Sequence, residues 1–548
     1  MYAFIPYSLV LSVICLSVSV LSHASQETAK YKQISPVSAN HHDYNNLAGN
    51  SNKNNAATIK YIDFDQGDDE GTGTRDDPWR HHPWDENSRG NAANSHGVNT
   101  YVFKKGVTYR GRLFADESGT SDAPIRLTVD PDWGQGDAVL AGSTQVTDGW
   151  KLCGEKYTSK LPAQSKEKSW CHTIKTESAP RLLWYLDESG ITRIPVARNP
   201  DWEITNIDDP RSQWFELTDV IIEVIIEASN TDNLVKGDIV TVQPVKRQSG
   251  RLKKQVELSQ IKIIDVQGNR LTLEIRNWFN KLMRPGDTLS NGEEEARIKQ
   301  IKGTHSIIRR LVDNENLRAS TPNAYRGATI WAERRGMPKA DAAIIIDSNP
   351  DEYSLRANFH RAAGSGPRPH DRYYLEGLPE FLDSAGEYHY QETGSDAGVL
   401  ILRLPQDRDP NQSIIEVANR NTILEVRNQS NIEITGLAFR FSNQIAPGTR
   451  ESRHAPIHAS AIQIRGNVNN IKIVECDFSF LPSGIFVFPE VKSGPSRIDY
   501  IKINNNSFEE IDGSAIALGN GRNHYKMKKY GSRLIHVEIN KNTLANIG

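Results

Sequence analysis

Four stretches near the carboxyl end decide the reading of the fold: Asn431-Ile-Glu-Ile-Thr-Gly-Leu-Ala-Phe439, Asn470-Ile-Lys-Ile-Val-Glu-Cys-Asp-Phe478, Tyr500-Ile-Lys-Ile-Asn-Asn-Asn-Ser-Phe508 and His536-Val-Glu-Ile-Asn-Lys-Asn-Thr-Leu544. They superimpose without gaps, and their starts are 39, 30 and 36 residues apart. In each, the second and fourth residues are Ile or Val, which puts them on one face of a strand whose side chains alternate. The ninth residue is Phe439, Phe478, Phe508 or Leu544, and the seventh is Leu437, Cys476, Asn506 or Asn542. Asparagines at matching turns can hydrogen-bond from one coil to the next. A second strand follows each of the first three units, at Ala461-Ile-Gln-Ile464, Gly484-Ile-Phe-Val487 and Ala515-Ile-Ala-Leu518. Ile462, Ile485 and Ile516 then form one column, and Ile464, Val487 and Leu518 the next. Two strands per repeat, each burying its apolar face only against its neighbours, is the pattern of a solenoid. An antiparallel sandwich would favour tight hairpin turns, which these spacings do not offer.

Working outward, short β-rich runs such as Thr100-Tyr-Val-Phe103 and Ala138-Val-Leu140 alternate with Gly, Asn, Asp and Pro, and no long stretch carries a helical period. The expected fold is therefore all-β, a parallel β-helix. From 220 to 312 the alternation of strand and turn, as in Lys236-Gly-Asp-Ile-Val-Thr-Val242 and Asn269-Arg-Leu-Thr-Leu273, points to a small inserted β-barrel-like module. This division leaves an N-terminal cap and first rungs over 59–219, and further rungs over 313–548. The last unit ends just before Gly548 with nothing amphipathic to cover the stack, which suggests a fragment of a longer protein.

The segment Met1–Ala24 has a continuous apolar stretch around Leu9–Ile14 and small residues at Ser22 and Ala24, the pattern of a secretory signal cleaved after Ala24; a membrane anchor is the competing reading. Residues 25–58 are polar and read as a flexible leader. No later segment is apolar enough to span a bilayer. A net charge of −3, from 65 Lys+Arg and 68 Asp+Glu, gives no basic field for a phosphate backbone, so nucleic acid is excluded as an expected partner. In an oxidising compartment Cys153 and Cys171, which bracket a polar loop, are candidates for a disulfide, while Cys476 falls on an inward position as a small core residue.

The chain resembles carbohydrate-active enzymes of the right-handed parallel β-helix superfamily. The resemblance rests on Tyr61-Ile-Asp-Phe-Asp-Gln-Gly-Asp-Asp-Glu-Gly-Thr-Gly-Thr-Arg-Asp-Asp-Pro-Trp79, on Arg193-Ile-Pro-Val-Ala-Arg-Asn-Pro200, and on Arg372-Tyr-Tyr-Leu-Glu-Gly-Leu-Pro-Glu-Phe-Leu-Asp-Ser-Ala-Gly-Glu-Tyr388. The last is similar to a passage of β-helix glycoside hydrolases that leads into the repeating rungs. Several hydrolases of that superfamily carry an inserted barrel, so the resemblance implies a secreted glycoside hydrolase acting on a polysaccharide, with anionic polysaccharides among the candidates. A calcium-assisted polysaccharide lyase and a non-catalytic carbohydrate-binding solenoid are the alternatives. No complete catalytic motif of one family is present, and no catalytic role is carried over.

Hydrolysis of a glycosidic bond needs two carboxyl groups, one to protonate the leaving oxygen and one to act as nucleophile or base. The acids nearest the repeat strands are Glu510 and Asp512, with Asp477 one repeat earlier as a competing partner; solvated turn acids are the competing reading of all three. The polar interruption 444–458 supplies His454 and His458 as substrate-binding candidates, joined by the outward Arg465 and by Arg522 and His524. No cofactor is required for hydrolysis. For calcium, Asp63, Asp65, Asp68 and Asp69 are candidate ligands, although Asp-Gly turn chemistry explains them equally well. Trp79, Trp84, Trp202 and Trp214 can stack on sugar rings, with Trp79 and Trp84 also placed to pack the end of the solenoid.

Overall fold

The computed structural model describes residues 58–201, 205, 209–243, 258–275, 283–302, 308–318, 321–334, 337–359, 366–394, 397–446, 459–490, 495–519 and 531–547. Its organising feature is a set of three parallel sheets that the chain visits in rotation. Sheet I is made of Ile59–Ile62, Thr100–Lys105, Ile125–Gly134, Ile432–Thr435, Val468–Val474, Arg497–Asn504 and Arg533–Asn540. Sheet II holds Thr108–Arg110, Val139–Ala141, Ala438–Arg440, Asp477–Leu481, Ser507–Ile511 and Thr543–Ile547, and sheet III holds Leu113–Ala115, Leu424–Arg427, Ile462–Arg465, Ile485–Phe488 and Ile516–Leu518.

The four aligned stretches stand in register. Ile432 pairs with Ile471, Ile471 with Ile501 and Ile501 with Val537. The ring of Phe478 lies between Phe439, at 4.9 Å, and Phe508, at 4.7 Å, each nearly parallel to it. Asn542 Oδ1 accepts from the Asn506 backbone N–H at 2.9 Å, and Asn506 Oδ1 accepts from the N–H of Cys476 at 3.0 Å.

The uninterrupted passes, such as Ile432–Thr435, Ala438–Arg440 and Ile462–Arg465, carry three strands, where the sequence suggested two. The reason lies at the corners: residues 1, 6 and 11 of every unit take positive φ. They are Asn431, Asn470, Tyr500 and His536; then Gly436, Glu475, Asn505 and Lys541; then Phe441, Phe480, Glu510 and Asn546. The corner at position 6 breaks what reads as one nine-residue strand into two, in sheets I and II. Positive φ is unfavourable for most side chains, so its recurrence shows that pairing between passes imposes it.

The chain leaves these sheets after Ala141 and re-enters at Leu424, where Leu424 pairs with Leu113 and, farther on, Phe439 pairs with Leu140. Among the described residues the strand pairs formed between Ser143 and Ala418 are antiparallel, with one isolated parallel bridge from Val196 to Tyr388. The parallel passes are thus confined to 59–141 and 424–547, a narrower share than 59–219 and 313–548. The Val- and Ile-rich strand Asp219–Ser229, outside the passes, is flanked by antiparallel partners instead.

Within that excursion a six-stranded barrel closes. Its strands are Asp219–Ser229, Ile239–Gln243, Leu258–Gln267, Arg270–Ile275, Thr288–Ser290 and Glu295–Lys302, and closure comes from pairing of the first with the last, Ile226 with Ile301. Val224, Ile226, Val240, Ile263, Leu273 and Leu289 fill it. A second antiparallel layer, containing Leu183–Asp187 and Ile414–Ala418, lies against the outer face of sheet II, where Trp184 meets Phe441 at 4.9 Å between ring centres. Cys153 and Cys171 are joined by a disulfide, with Cα atoms 5.0 Å apart. Burial pushes the free Cys476 thiol up to about 12.

Because Phe478 is fully buried between two rings, Phe478→Ala is expected to destabilise the protein by about 3–5 kcal/mol, whereas Lys502→Ala, which removes a partly exposed ion pair to Glu538, should change stability by no more than about 0.5 kcal/mol. Chemical denaturation followed by circular dichroism measures both; equal effects would show that the stacked column is not the mainstay of the parallel sheets.

Candidate active site

The antiparallel layer ends where sheet II loses its phenylalanines. In the position-11 column, Phe441 and Phe480 lie against that layer, and the next two members are Glu510 and Asn546, joined by a 2.7 Å hydrogen bond from Asn546 Nδ2. Beside them Arg193, from strand Gly190–Ile194, forms an ion pair with Asp512. This pair ties the excursion to the parallel sheets at one edge of a polar junction.

The junction is built by two of the three stretches on which the family resemblance rests. Strand Arg198–Asn199 pairs with Arg372–Glu376, so that Arg198 faces Glu376 across the ladder. The Arg198 guanidinium lies 3.8 Å over the ring of Tyr374. Glu376 receives a hydrogen bond from Trp331 Nε1 at 2.7 Å and forms an ion pair with Arg181. Past the short turn Pro379–Phe381 come Asp383 and then Glu387, the first residue of strand Glu387–Glu392.

Here Asp201, Asp383 and Glu387 each bring a carboxylate oxygen within 4.8 Å of the others. Asp201 is exposed, Asp383 half-buried and Glu387 only 3% exposed. The Arg198 backbone N–H donates to Glu387 Oε1 at 3.2 Å, while Glu387 Oε2 and Asp383 Oδ1 are buried without a hydrogen-bond partner. Ser384 Oγ donates to Asp201. A buried anion beside two other anions is strongly disfavoured, so the site favours a bound proton or a cation. Burial first, then the Asp201 and Asp383 charges, raise the Glu387 carboxyl to about 9. Burial and the neighbouring Asp201 raise Asp383 to about 6. Among the described residues this is the one group of three or more acids, histidines or cysteines close enough to hold a metal ion together.

The residues expected from sequence alone are placed as follows. Asp512 reaches the junction through Arg193, and Glu510 lies on its sheet II side. Asp477 does not join them through any contact seen here: it faces Arg440 at 3.6 Å, and burial raises its carboxyl above the ordinary range. Arg465 is held by Glu425 at 2.7 Å. His454, His458, Arg522, His524 and Trp202 lie outside the described residues.

The expected calcium ligands serve turns instead. Asp63 Oδ1 accepts the N–H groups of Asp65 and Gln66, its Oδ2 pairs with Lys104 at 2.6 Å, and Asp69 is taken up by His81 and by the N–H of Arg89. Asp68 accepts from the Glu70 N–H, so the carboxylates of Asp63, Asp68 and Asp69 are taken up by separate partners. Trp79 and Trp84 are buried in the core, and Trp214 is half-buried beside Tyr374. Sequence reasoning did not single out Asp201, Asp383 or Glu387. Two of them stood inside the Leu-Asp-Ser-Ala-Gly-Glu-Tyr passage already quoted, and their spacing of four was the available signal.

No family model matches the chain, and no curated protein matches it. Among solved structures, one titled "Glycoside hydrolase" is similar at 14% identity and a TM-score of 0.45, covering 83% of this chain and 74% of that one. Another, "The complex structure of XylC with xylose", is similar at 12% identity and a TM-score of 0.37. That match covers 89% of this chain and 54% of the other, so the chain spans about half its length. At these scores neither likeness bears on the chemistry.

The raised carboxyl of Glu387 makes stability depend on pH. The folded chain holds the proton more tightly than the unfolded one, where a glutamate titrates at 4.5, so its contribution is complete below about 4.5 and is lost as pH rises through about 9. In Glu387→Gln that loss disappears. The melting temperature of the variant should gain on wild type steadily from about pH 5 to about pH 10; a difference that stays constant across this range would show that Glu387 titrates normally.

Proposed function

We propose that the protein is an exported glycoside hydrolase whose parallel sheets form the body of a right-handed β-helix and whose Asp201–Asp383–Glu387 site cleaves a polysaccharide. The observation that carries this reading is a buried glutamic acid, in surroundings that favour its protonated form, within 4.8 Å of two further carboxyls. Glu387 supplies the proton to the leaving glycosidic oxygen. A carboxylate of the Asp201–Asp383 pair attacks the anomeric carbon, and water then releases the sugar with Glu387 taking back a proton. Inverting enzymes keep their two carboxyls about 6.5–9.5 Å apart to admit a water, so this closer spacing favours the double displacement of a retaining enzyme. Export is supported by the apolar stretch and small residues of Met1–Ala24. Among the described residues no helix is long and apolar enough to cross a membrane.

A panel of polysaccharides assayed for new reducing ends and for unsaturated uronides tests the reaction. Reducing ends without ultraviolet-absorbing products are expected, with kcat/KM rising near pH 6 and falling near pH 9 as Asp383 and Glu387 titrate. Glu387→Gln should lower kcat by about 10²–10⁴, and azide should restore turnover in whichever of Asp201→Ala and Asp383→Ala removes the nucleophile. Unsaturated products would identify a lyase, and full activity in Glu387→Gln would remove this site from the chemistry.

A further inference from the structure

The strand Arg372–Glu376 separates two kinds of surface. Tyr373 and Leu375 point into an apolar core with Ile330 and Ala332. The opposite face carries Tyr374 and Glu376, and across the ladder Trp331 pairs directly with Tyr374. The two rings lie nearly parallel, with centres 6.2 Å apart. Trp214 adds a third ring, edge-on to Tyr374 at 4.7 Å.

Alternation would ordinarily give such a face small or charged residues. Here it carries two half-buried indoles around a buried phenol. Each ring is fixed: Trp331 by its bond to Glu376, Tyr374 by the Arg198 guanidinium, and Trp214 by Arg211, 5.3 Å above it. Rigid, partly exposed aromatic rings flanked by pinned polar groups suit a ligand with an apolar face and a hydroxylated rim. A pyranose ring has that form, with axial C–H bonds on one face and hydroxyls around its edge.

We infer that Trp331 and Trp214 form a saccharide-binding subsite that continues from the Asp201–Asp383–Glu387 carboxyls along this sheet face. Continuity is supplied by Arg198, whose backbone N–H holds Glu387 while its guanidinium covers Tyr374. A sugar ring stacked on the indoles therefore belongs to the same chain as the unit at the carboxyls. The inference rests on the hydrolase reading for its substrate class, and it assigns Trp331 and Trp214 to binding, with no part in bond cleavage.

The test separates the two readings. Xylohexaose, cellohexaose, mannohexaose and a galacturonate hexamer are titrated into full-length Glu387→Gln protein while tryptophan fluorescence is recorded. Hydrolysis of the same probes is followed in wild type, Trp331→Ala, Trp331→Phe and Trp214→Ala. At least one probe should shift the emission, and the shift should shrink in both alanine variants. For that probe, each alanine variant should raise KM about tenfold, a loss of about 1.4 kcal/mol, with the change falling on KM rather than kcat; Trp331→Phe should recover part of it. A probe that is bound but never hydrolysed would sink the hydrolase reading and keep the subsite. Hydrolysis with unchanged KM in both alanine variants, or no fluorescence response to any probe, would overturn the subsite.

Discussion

The register that the chain recovers at Leu424 is the constraint on which the rest depends. Leu113 and Leu140 are left unpaired on one side until Leu424 and Phe439 arrive, and only then can the columns of Ile and Phe continue upward. Packing in such columns is all-or-none at each level, because a slip of one residue would turn every inward side chain outward. The ion pairs that bracket the re-entry reinforce the same alignment: Arg126 binds Glu433 and Arg440 binds Asp137.

That alignment also positions the chemistry. The excursion is anchored against sheet II by Trp184 on Phe441, and its far edge is fixed by Arg193 on Asp512. Between these anchors two segments meet, one carrying Arg198 and Asp201, the other Glu376, Asp383 and Glu387. Glu387 is buried by the backbone of a neighbouring strand and not by apolar side chains alone, since it takes the Arg198 N–H. A proton held there is a product of the fold: desolvation and like charge raise the glutamic acid together.

How much of this the sequence disclosed can be judged residue by residue. The repeat revealed the Ile and Phe columns and the asparagine ladder, because nearest-neighbour stacking writes itself as a period. It also marked the barrel, whose short strands and turns are local. It concealed the third strand of each pass, since the corner at Glu475 or Lys541 is imposed by pairing and carries no turn residue of its own. The site was half visible. Asp512 was singled out and pairs with Arg193, whereas Asp201 and Glu387 lie far from any repeat and are brought together by the pairing of Arg198 with Glu376 and of Val196 with Tyr388. Acids near rungs are easy to find in a sequence; acids gathered by an excursion are not.

The excursion has a consequence for the order in which the molecule assembles. Contacts between successive passes at the carboxyl end span 39, 30 and 36 residues, whereas those joining the first passes to the later ones span 303 and 307. Loop closure over the longer separation costs about 2 kcal/mol more in chain entropy. The strands of the first passes pair over similarly short spans, so chain entropy favours each set closing within itself before the two join across the excursion. The carboxyl site, whose three acids all lie within the excursion, is gathered by pairings separate from either set.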